Sequence, residues 1–170
     1  MRKALILALA LPLLAAPAAG QALKGHNSNA DVFFEADTIE VQDKADRAII
    51  SGNVRVRQAG LSLNADKLTV FYANSISSGV EIQQLYATGR VLITQPDETA
   101  RGDVAIYDLT GGLITLVGRV TLTQRGNQIS GERLVINLKT GRAVINGRNT
   151  GTPESQVGRV SGKFTVSKSQ

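Results

Sequence analysis

The feature that most constrains the fold is a short motif that the chain repeats three times. Each copy contains a glycine, then alternating polar and apolar residues, and ends in glutamine; the copies lie at residues 51–58, 88–95 and 117–124. A turn and a second stretch follow each copy, and that stretch carries Asp66, Asp103 or Glu132 at a matching place. Repetition of one supersecondary unit predicts a stacked or rolled architecture.

The spacing of the motif is nearly constant. The glycines at 89, 118 and 147 follow one another at intervals of 29 residues, whereas Gly52 and Gly89 are 37 residues apart. Turn-forming residues crowd around positions 74–79, so the eight additional residues are predicted in a loop there. The chain therefore reads as one repeating unit with a single insertion.

Alternation of apolar and polar side chains predicts β-strands, in which every second side chain points to the same face. We predict an all-β fold, a jelly roll or flattened barrel of about 12–15 short antiparallel strands with an apolar interior. A parallel β-solenoid also explains a fixed period and ranks second, because short glycine-containing turns within each unit are typical of hairpins. The residues predicted on the inward apolar face are Ile39, Val41, Val54, Val56, Leu61, Leu63, Leu68, Val70, Val91, Ile93, Val120, Leu122, Leu134 and Ile136.

The charged residues of the repeat are predicted to have structural roles. The acidic series Asp66, Asp103 and Glu132 recurs where the return strand carries small residues, which favours a bulge or bend over a catalytic carboxylate pair. Arginines alternate with the apolar residues at positions 55, 57, 90 and 119. They are predicted to form a solvated outer face rather than phosphate contacts.

The chain is predicted to consist of three segments. Residues 1–22 read as a secretory signal peptide, with basic Arg2 and Lys3, an apolar run over 4–14 and a cut after Ala19 or Ala22. That run of about eleven residues is too short to span a bilayer, and no later apolar run reaches even that length, so no transmembrane segment is predicted in the mature chain. Residues 31–148 form the predicted β-domain. Residues 149–170 form an additional strand or a docking tail, two alternatives that remain open.

Composition excludes several function classes. The net charge is +5, acidic and basic residues are mixed, and tryptophan is absent, which argues against nucleic-acid binding. Cysteine is absent, so no disulfide is expected. The single histidine, His26, is predicted to lie in a flexible terminus, and no metal set, nucleotide motif or catalytic motif is present. We therefore expect no enzyme activity and no cofactor.

Residues 54–70 carry the pattern Val-x-Val-x-Gln-x-Gly-x-x-Leu-x-Ala-Asp-x-Leu-x-Val, which resembles the signature of the OstA-like (LptA) family of lipopolysaccharide transport proteins. Residues 118–138 resemble a later repeat of that family, and the resemblance covers most of residues 31–148. It implies a twisted β-jelly roll that is open at its ends, resides in the periplasm and holds the lipid A acyl chains of lipopolysaccharide against the inward residues named above.

The resemblance also implies partners. The N-terminal end would dock on LptC and the C-terminal end on LptD, in both cases by β-strand addition, and copies of the chain would associate head to tail. The protein would thus be a bridge that carries lipopolysaccharide from the inner-membrane transporter to the outer-membrane assembly site. The alternative is a structural periplasmic β-protein that assembles by strand addition and binds no lipid.

Overall fold

The prediction of an all-β fold is confirmed. A computed structural model describes residues 26–75, 79–147 and 158–165, and the predicted signal peptide lies outside the described residues. These residues form one antiparallel sheet, and their only helical element is a 3-10 turn, Asp43–Ala45. The ten strands are β1 (Phe33–Glu35), β2 (Thr38–Gln42), β3 (Arg47–Gln58), β4 (Leu61–Ser75), β5 (Gly79–Gln95), β6 (Glu98–Asp108), β7 (Leu113–Gln124), β8 (Asn127–Asn137), β9 (Arg142–Asn146) and β10 (Ser161–Lys163).

The strands follow one another across the sheet in chain order. Strands β3 to β8 form a meander, in which each strand pairs with the next strand along the chain. Two short strands lie end to end at each margin: β1 and β2 pair with different parts of β3, and β9 and β10 pair with different parts of β8. The sheet does not close on itself within the described residues, so its two margins are separate.

The described strands are fewer and longer than the 12–15 short strands that the sequence predicted. The reason is that the chain bends without ending a strand. Each neighbouring pair from β3 to β8 changes register at a β-bulge near mid-strand, for example between Ser51 and Val54 of β3. A bulge adds an unpaired residue and bends the strand while pairing resumes beyond it. The prediction from the sequence treated the two halves of each bent strand as two separate strands.

These aligned bends fold the sheet into two layers. The first layer contains the hairpins of residues 38–51, 67–88, 104–117 and 133–146; the second contains residues 54–65, 91–102 and 120–131. The phenolic hydroxyl of Tyr107 in the first layer donates to Gln58 Oε1 in the second at 3.0 Å. The layers therefore meet at the side opposite the bends, as the two sides of a folded trough.

The insertion lengthens strands rather than a loop. In the first layer the hairpin of residues 67–88 is eight residues longer than that of residues 104–117. Strand β4 continues to Ser75 and β5 restarts at Gly79, so most of the additional residues are paired. The prediction that these residues fall in the loop at 74–79 was therefore wrong for most of them, because alternating residues flank the turn signals there.

Candidate functional site

The inner face of the folded sheet is a continuous apolar surface, here called the trough. Residues directly opposite each other on paired strands share a face, and the pairing connects inward residues in rows from margin to margin. Two rows cross the first layer: Ile39, Ile50, Leu68, Ala87, Ala105, Leu116, Leu134, Ile145; and Val41, Ala48, Val70, Leu85, Tyr107, Ile114, Ile136, Ala143. A third crosses the second layer: Phe34, Val56, Leu63, Ile93, Ala100, Leu122, Ile129 and Gly162.

Twelve of the fourteen residues predicted on the inward face are buried in one hydrophobic core. They are Val54, Val56, Leu61, Leu63, Leu68, Val70, Val91, Ile93, Val120, Leu122, Leu134 and Ile136. The other two, Ile39 and Val41, belong to the same rows but are 50% and 62% exposed. They lie on the marginal strand β2, where no further strand covers them in the described part of the chain.

Apolar exposure is concentrated at both margins of the sheet. At the N-terminal margin, Phe34 of β1 is exposed on the inner face, as are Ile39 and Val41 of β2, whereas Phe33 is exposed on the outer face. At the C-terminal margin, Val160 and Phe164 on either side of β10 are exposed, and Val144 of β9 is exposed on the outer face. Exposed apolar residues grouped in this way mark interaction surfaces. The trough therefore ends at two apolar margins, each carried by short strands.

The predicted bend role of the acidic series is confirmed for Asp66 and Asp103. Gly89 and the arginine after it both have positive φ, 79° and 47°, and Asp66 lies against Gly89 where a side chain would otherwise be. The guanidinium of Arg90 donates to Asp66 at 2.5 Å; Arg119 donates to Asp103 at 2.7 Å, beside Gly118. These hydrogen bonds, helped by the opposite charges, lower the pKa of both carboxyl groups.

The other two bends vary this arrangement. At the first bend, Asn53 takes the place of arginine, and its amide donates to Asp37 Oδ2 at 2.9 Å. The glycine of the last repeat, Gly147, lies instead against the backbone of Gly158. Glu132, the third residue of the predicted series, is not among the groups that lie closest to Gly147.

The four arginines lie on the outer face and are exposed, as predicted, but three of them also form ion pairs. Arg57 pairs with Glu35 at 3.3 Å, and Arg90 and Arg119 pair with the bend aspartates. Arg55 and Arg57 also line a groove of about 530 Å³ together with Arg90 and Arg101. Most of the residues that line this groove have their side chains on the outer face of the sheet, opposite the trough.

Polar side chains line the mouth of the trough, the side where the turns of the two layers face each other. Two polar residues are buried on this otherwise apolar inner face: Gln58, which is only 2% exposed, and Glu98. Gln95 and Gln124 are the paired neighbours of Glu98 on either side, and the amide of Gln124 donates to Glu98. The mouth is thus a polar rim above an apolar floor.

The prediction that His26 lies in a flexible terminus was wrong. Its Nε2 lies 3.1 Å from Gln58 Oε1 and 3.2 Å from the hydroxyl of Tyr107, and its ring meets that of Tyr107 edge to face. Burial lowers the pKa of His26, and the hydrogen bond with Gln58 opposes that shift. A polar flanking sequence does not exclude burial, because distant parts of the fold supply the partners.

The three glutamines at the mouth were not predicted as site residues, although the sequence contains a signal for them. Gln58, Gln95 and Gln124 end the three copies of the motif. Counting every second residue from the apolar positions before them places all three on the inner face. A polar residue in an apolar series, at the same place in every repeat, indicates a role at that face.

No group of three or more histidine, cysteine, aspartate or glutamate side chains among the described residues could hold a metal ion. In the same part of the chain, no helix has the length and hydropathy needed to cross a bilayer.

Comparison with known proteins agrees with the family resemblance. Residues 34–142 match the model of the family described as LptA/(LptD N-terminal domain) LPS transport protein. The crystal structure of LptH from Pseudomonas aeruginosa, described as the LptA homologous periplasmic component of the lipopolysaccharide transport device, superposes with a TM-score of 0.68. It is 20% identical, over 82% of this chain and 98% of that one, so it establishes the shared fold.

A curated relative was also found. An uncharacterised protein of Rhizobium meliloti (strain 1021) is 33% identical over 92 residues, 52% of this chain and 50% of that protein. The alignment therefore spans about half the length of that relative. Because the family model matches well over half of the sequence, on a sheet with the same fold as LptH, the chain belongs to the LptA/LptD N-terminal domain family of lipopolysaccharide transport proteins.

Proposed function

We propose that this protein is a non-enzymatic periplasmic bridge that carries lipopolysaccharide from an inner-membrane transporter to the outer-membrane assembly site. The observation that supports this most directly is the trough itself. Its apolar rows cross every strand of the sheet and reach the N-terminal margin as exposed side chains, Ile39 and Val41. A surface of this kind can be continued by the next module.

The physical reason for such a surface is the insolubility of acyl chains. Each methylene transferred from water to an apolar environment contributes about 0.8 kcal/mol. A chain of about a dozen carbons would therefore expose on the order of 10 kcal/mol of apolar surface in an aqueous compartment. A trough shared by successive modules keeps the chains covered, and it requires neither nucleotide nor metal in this protein.

The margins support assembly by strand addition. Strands β1 and β2 at one margin and β9 and β10 at the other are three to five residues long, and each has one side without a strand neighbour among the described residues. Such edges are templates for another chain. In this proposal LptC adds to the N-terminal margin, LptD to the C-terminal margin, and further copies join head to tail. Residues 31–148 form the carrying domain, and residues 149–170 help to form the C-terminal docking margin.

Loading requires the two layers to move apart. The apolar residues of the trough are packed against one another, and many, including Leu116, Leu134 and Ile136, have no exposed surface. Acyl chains can enter only where this packing opens, and the side opposite the bends is the place where opening breaks no strand pairing. The same packing favours the second candidate function, a scaffold that assembles by strand addition and binds no lipid.

Photo-crosslinking from adjacent residues distinguishes these two functions. A photoreactive side chain replaces Leu122, which faces the trough, or its neighbour Thr121, whose side chain is on the outer face. A second pair, Ile39 and Glu40, applies the same design to the N-terminal margin. With lipopolysaccharide present, we expect labelling from 122 and 39 and little from 121 and 40. Equal labelling within each pair, or none, contradicts the lipid-carrying proposal.

The cellular role has its own test. Depletion of the protein should cause newly made lipopolysaccharide to accumulate at the inner membrane. Normal delivery to the outer membrane after depletion would contradict the bridge role, even if the purified protein binds lipid.

A further inference from the structure

We propose that Gln58, Gln95 and Gln124 are polar subsites for the carbonyl and hydroxyl oxygens at the head of a bound lipid's acyl chains. We further propose that residues 26–30 of the chain occupy the Gln58 subsite until the lipid displaces them. This inference rests on the proposed function, because it names which part of the lipid the mouth of the trough contacts.

The Gln58 subsite is filled by the chain itself. Its amide Nε2 donates to the backbone carbonyls of Ser28 and Ala30, at 3.0 and 2.9 Å. Its Oε1 accepts a hydrogen bond from the hydroxyl of Tyr107 at 3.0 Å and lies 3.1 Å from His26 Nε2. A buried polar group requires such partners. If the segment leaves, the amide needs two new acceptors.

The chemistry of those acceptors identifies the ligand group. Gln58 now holds two carbonyl oxygens, and the ester or amide that joins an acyl chain to a sugar head presents the same oxygen. The residue two positions before each glutamine is apolar and buried: Val56, Ile93 and Leu122. A lipid with its chains on these residues would place its carbonyl and hydroxyl groups at the glutamines above them.

The repeat sets the spacing of the row. Gln58, Gln95 and Gln124 end strands β3, β5 and β7, so successive glutamines lie on every second strand. That separates them by roughly 10 Å along the mouth. Glu98 pairs with both Gln95 and Gln124 across the sheet and accepts from the latter, which orients that amide at the mouth. The row therefore offers repeated contacts to a lipid with several chains.

The segment of residues 26–30 is suited to leave. It is not a strand of the sheet, and the hydrogen bonds with Gln58 and the ring contact with Tyr107 connect it to the mouth. The Nδ1 of His26 is buried and has no hydrogen-bond partner in the described part of the chain. An unmet polar atom weakens the contact, so a ligand that meets Gln58 better can replace the segment.

Displacement is tested with a spin label. The chain contains no cysteine, so Asn29→Cys places a single nitroxide on the segment and Lys67→Cys places one on the outer face as the control. Saturating lipopolysaccharide should increase nitroxide mobility at 29 and leave it unchanged at 67. Unchanged mobility at 29 in protein that carries bound lipid overturns the displacement.

Competition predicts a second effect. His26→Ala weakens the segment's hold while leaving Gln58 in place, so more of the protein is open to the ligand. Its affinity for lipopolysaccharide should rise about two- to tenfold, the range of one or two modest hydrogen bonds. Equal or lower affinity, with the β-sheet circular dichroism spectrum retained, contradicts competition.

The subsites are tested with two amphiphiles that have the same sugar head and chain length, joined by an ester in one and an ether in the other. The unsubstituted protein should bind the ester about two- to tenfold more tightly. Gln95→Leu should reduce this ratio, and the triple variant with Gln58→Leu and Gln124→Leu should bring it to about one. Gln128→Leu, which replaces an exposed outer-face glutamine, is the matched control and should keep the ratio.

These outcomes separate the inference from the function on which it rests. Equal binding of the two amphiphiles by the unsubstituted protein, or a ratio that survives in the triple variant, overturns the subsites but leaves lipid carriage intact. Failure to bind either amphiphile or lipopolysaccharide overturns the proposed function, and the inference with it.

Discussion

The carboxylate of Asp66 on β4 lies against the α-carbon of Gly89 on β5, in the space that a side chain at position 89 would occupy. Gly89 also has a φ of 79°, which other L-residues rarely adopt. The bend at this point therefore depends on glycine for two separate reasons, its backbone angle and the close approach of Asp66.

A matched pair of substitutions separates those two reasons. Gly60 has a similar φ of 83°, but nothing lies within 4 Å of a β-carbon built there. Gly60→Ala should lower the free energy of unfolding by about 1–2 kcal/mol, from the backbone angle alone. Gly89→Ala should lower it further, by about 3–5 kcal/mol in total, because Asp66 must also move. Urea denaturation measures both; equal losses would contradict the close packing of Asp66.

The ion pair at the same bend predicts a pH effect. The hydrogen bond from Arg90 lowers the pKa of Asp66 in the folded state, so the bend is favoured when this carboxyl is ionised. That contribution is present above the ordinary aspartate pKa and is lost as pH falls through the lowered one. Carboxyl NMR titration should find the Asp66 pKa below its usual value in the protein and close to it in Arg90→Gln. An unshifted Asp66 in the unsubstituted protein would contradict the pair.

The contact of His26 at the mouth predicts a pH effect in a higher range. Burial lowers the pKa of His26. The groups that face its ring are neutral: they are Gln58 and Tyr107, and burial raises the pKa of Tyr107. The closed segment is thus favoured above the ordinary histidine pKa and weakened as pH falls below it. A nitroxide at Asn29 should gain mobility on acidification, and His26→Asn should remove the dependence. Unchanged mobility down to pH about 5 would contradict this assignment, since that is well below the ordinary histidine pKa.

Two isoleucines in one row should differ sharply in their contribution to stability. Ile39 and Ile50 are paired across β2 and β3 and share a face, but Ile50 is 1% exposed and Ile39 is 50% exposed. Ile50→Ala should lower the free energy of unfolding by about 2–5 kcal/mol because it leaves a cavity. Ile39→Ala should lower it by less than about 1 kcal/mol. Similar losses by chemical denaturation would show that Ile39 is covered in solution.

Ile39 should matter more for assembly than for stability. Ile39→Asp places a charge on the N-terminal apolar margin, where a second module would continue the trough. Sedimentation or light scattering should show weaker self-association, while the denaturation midpoint changes little. The matched variant Glu40→Asp, whose side chain is on the opposite face, should associate normally. Association that is unaffected by Ile39→Asp would place the contact elsewhere.

Much of the fold could be predicted from the sequence because its information is local and repeated. Alternation over two residues assigned Val54, Leu68 and Leu134 to the inner face, and glycine beside an acidic residue marked the bends. The family resemblance was carried by the same short patterns. Each of these signals depends only on neighbours in the chain, which is why they could be recognised without coordinates.

The tertiary structure decided what depends on distant contacts. It showed that the bends lie within strands, because pairing continues on both sides of each bulge, and that Ile39 and Val41 are marginal rather than buried. It also brought His26 to Tyr107, 81 residues away in the chain. The alternation of side chains sets the face on which a residue lies; only the folding of one layer onto the other sets what covers that face, and therefore where the trough can open.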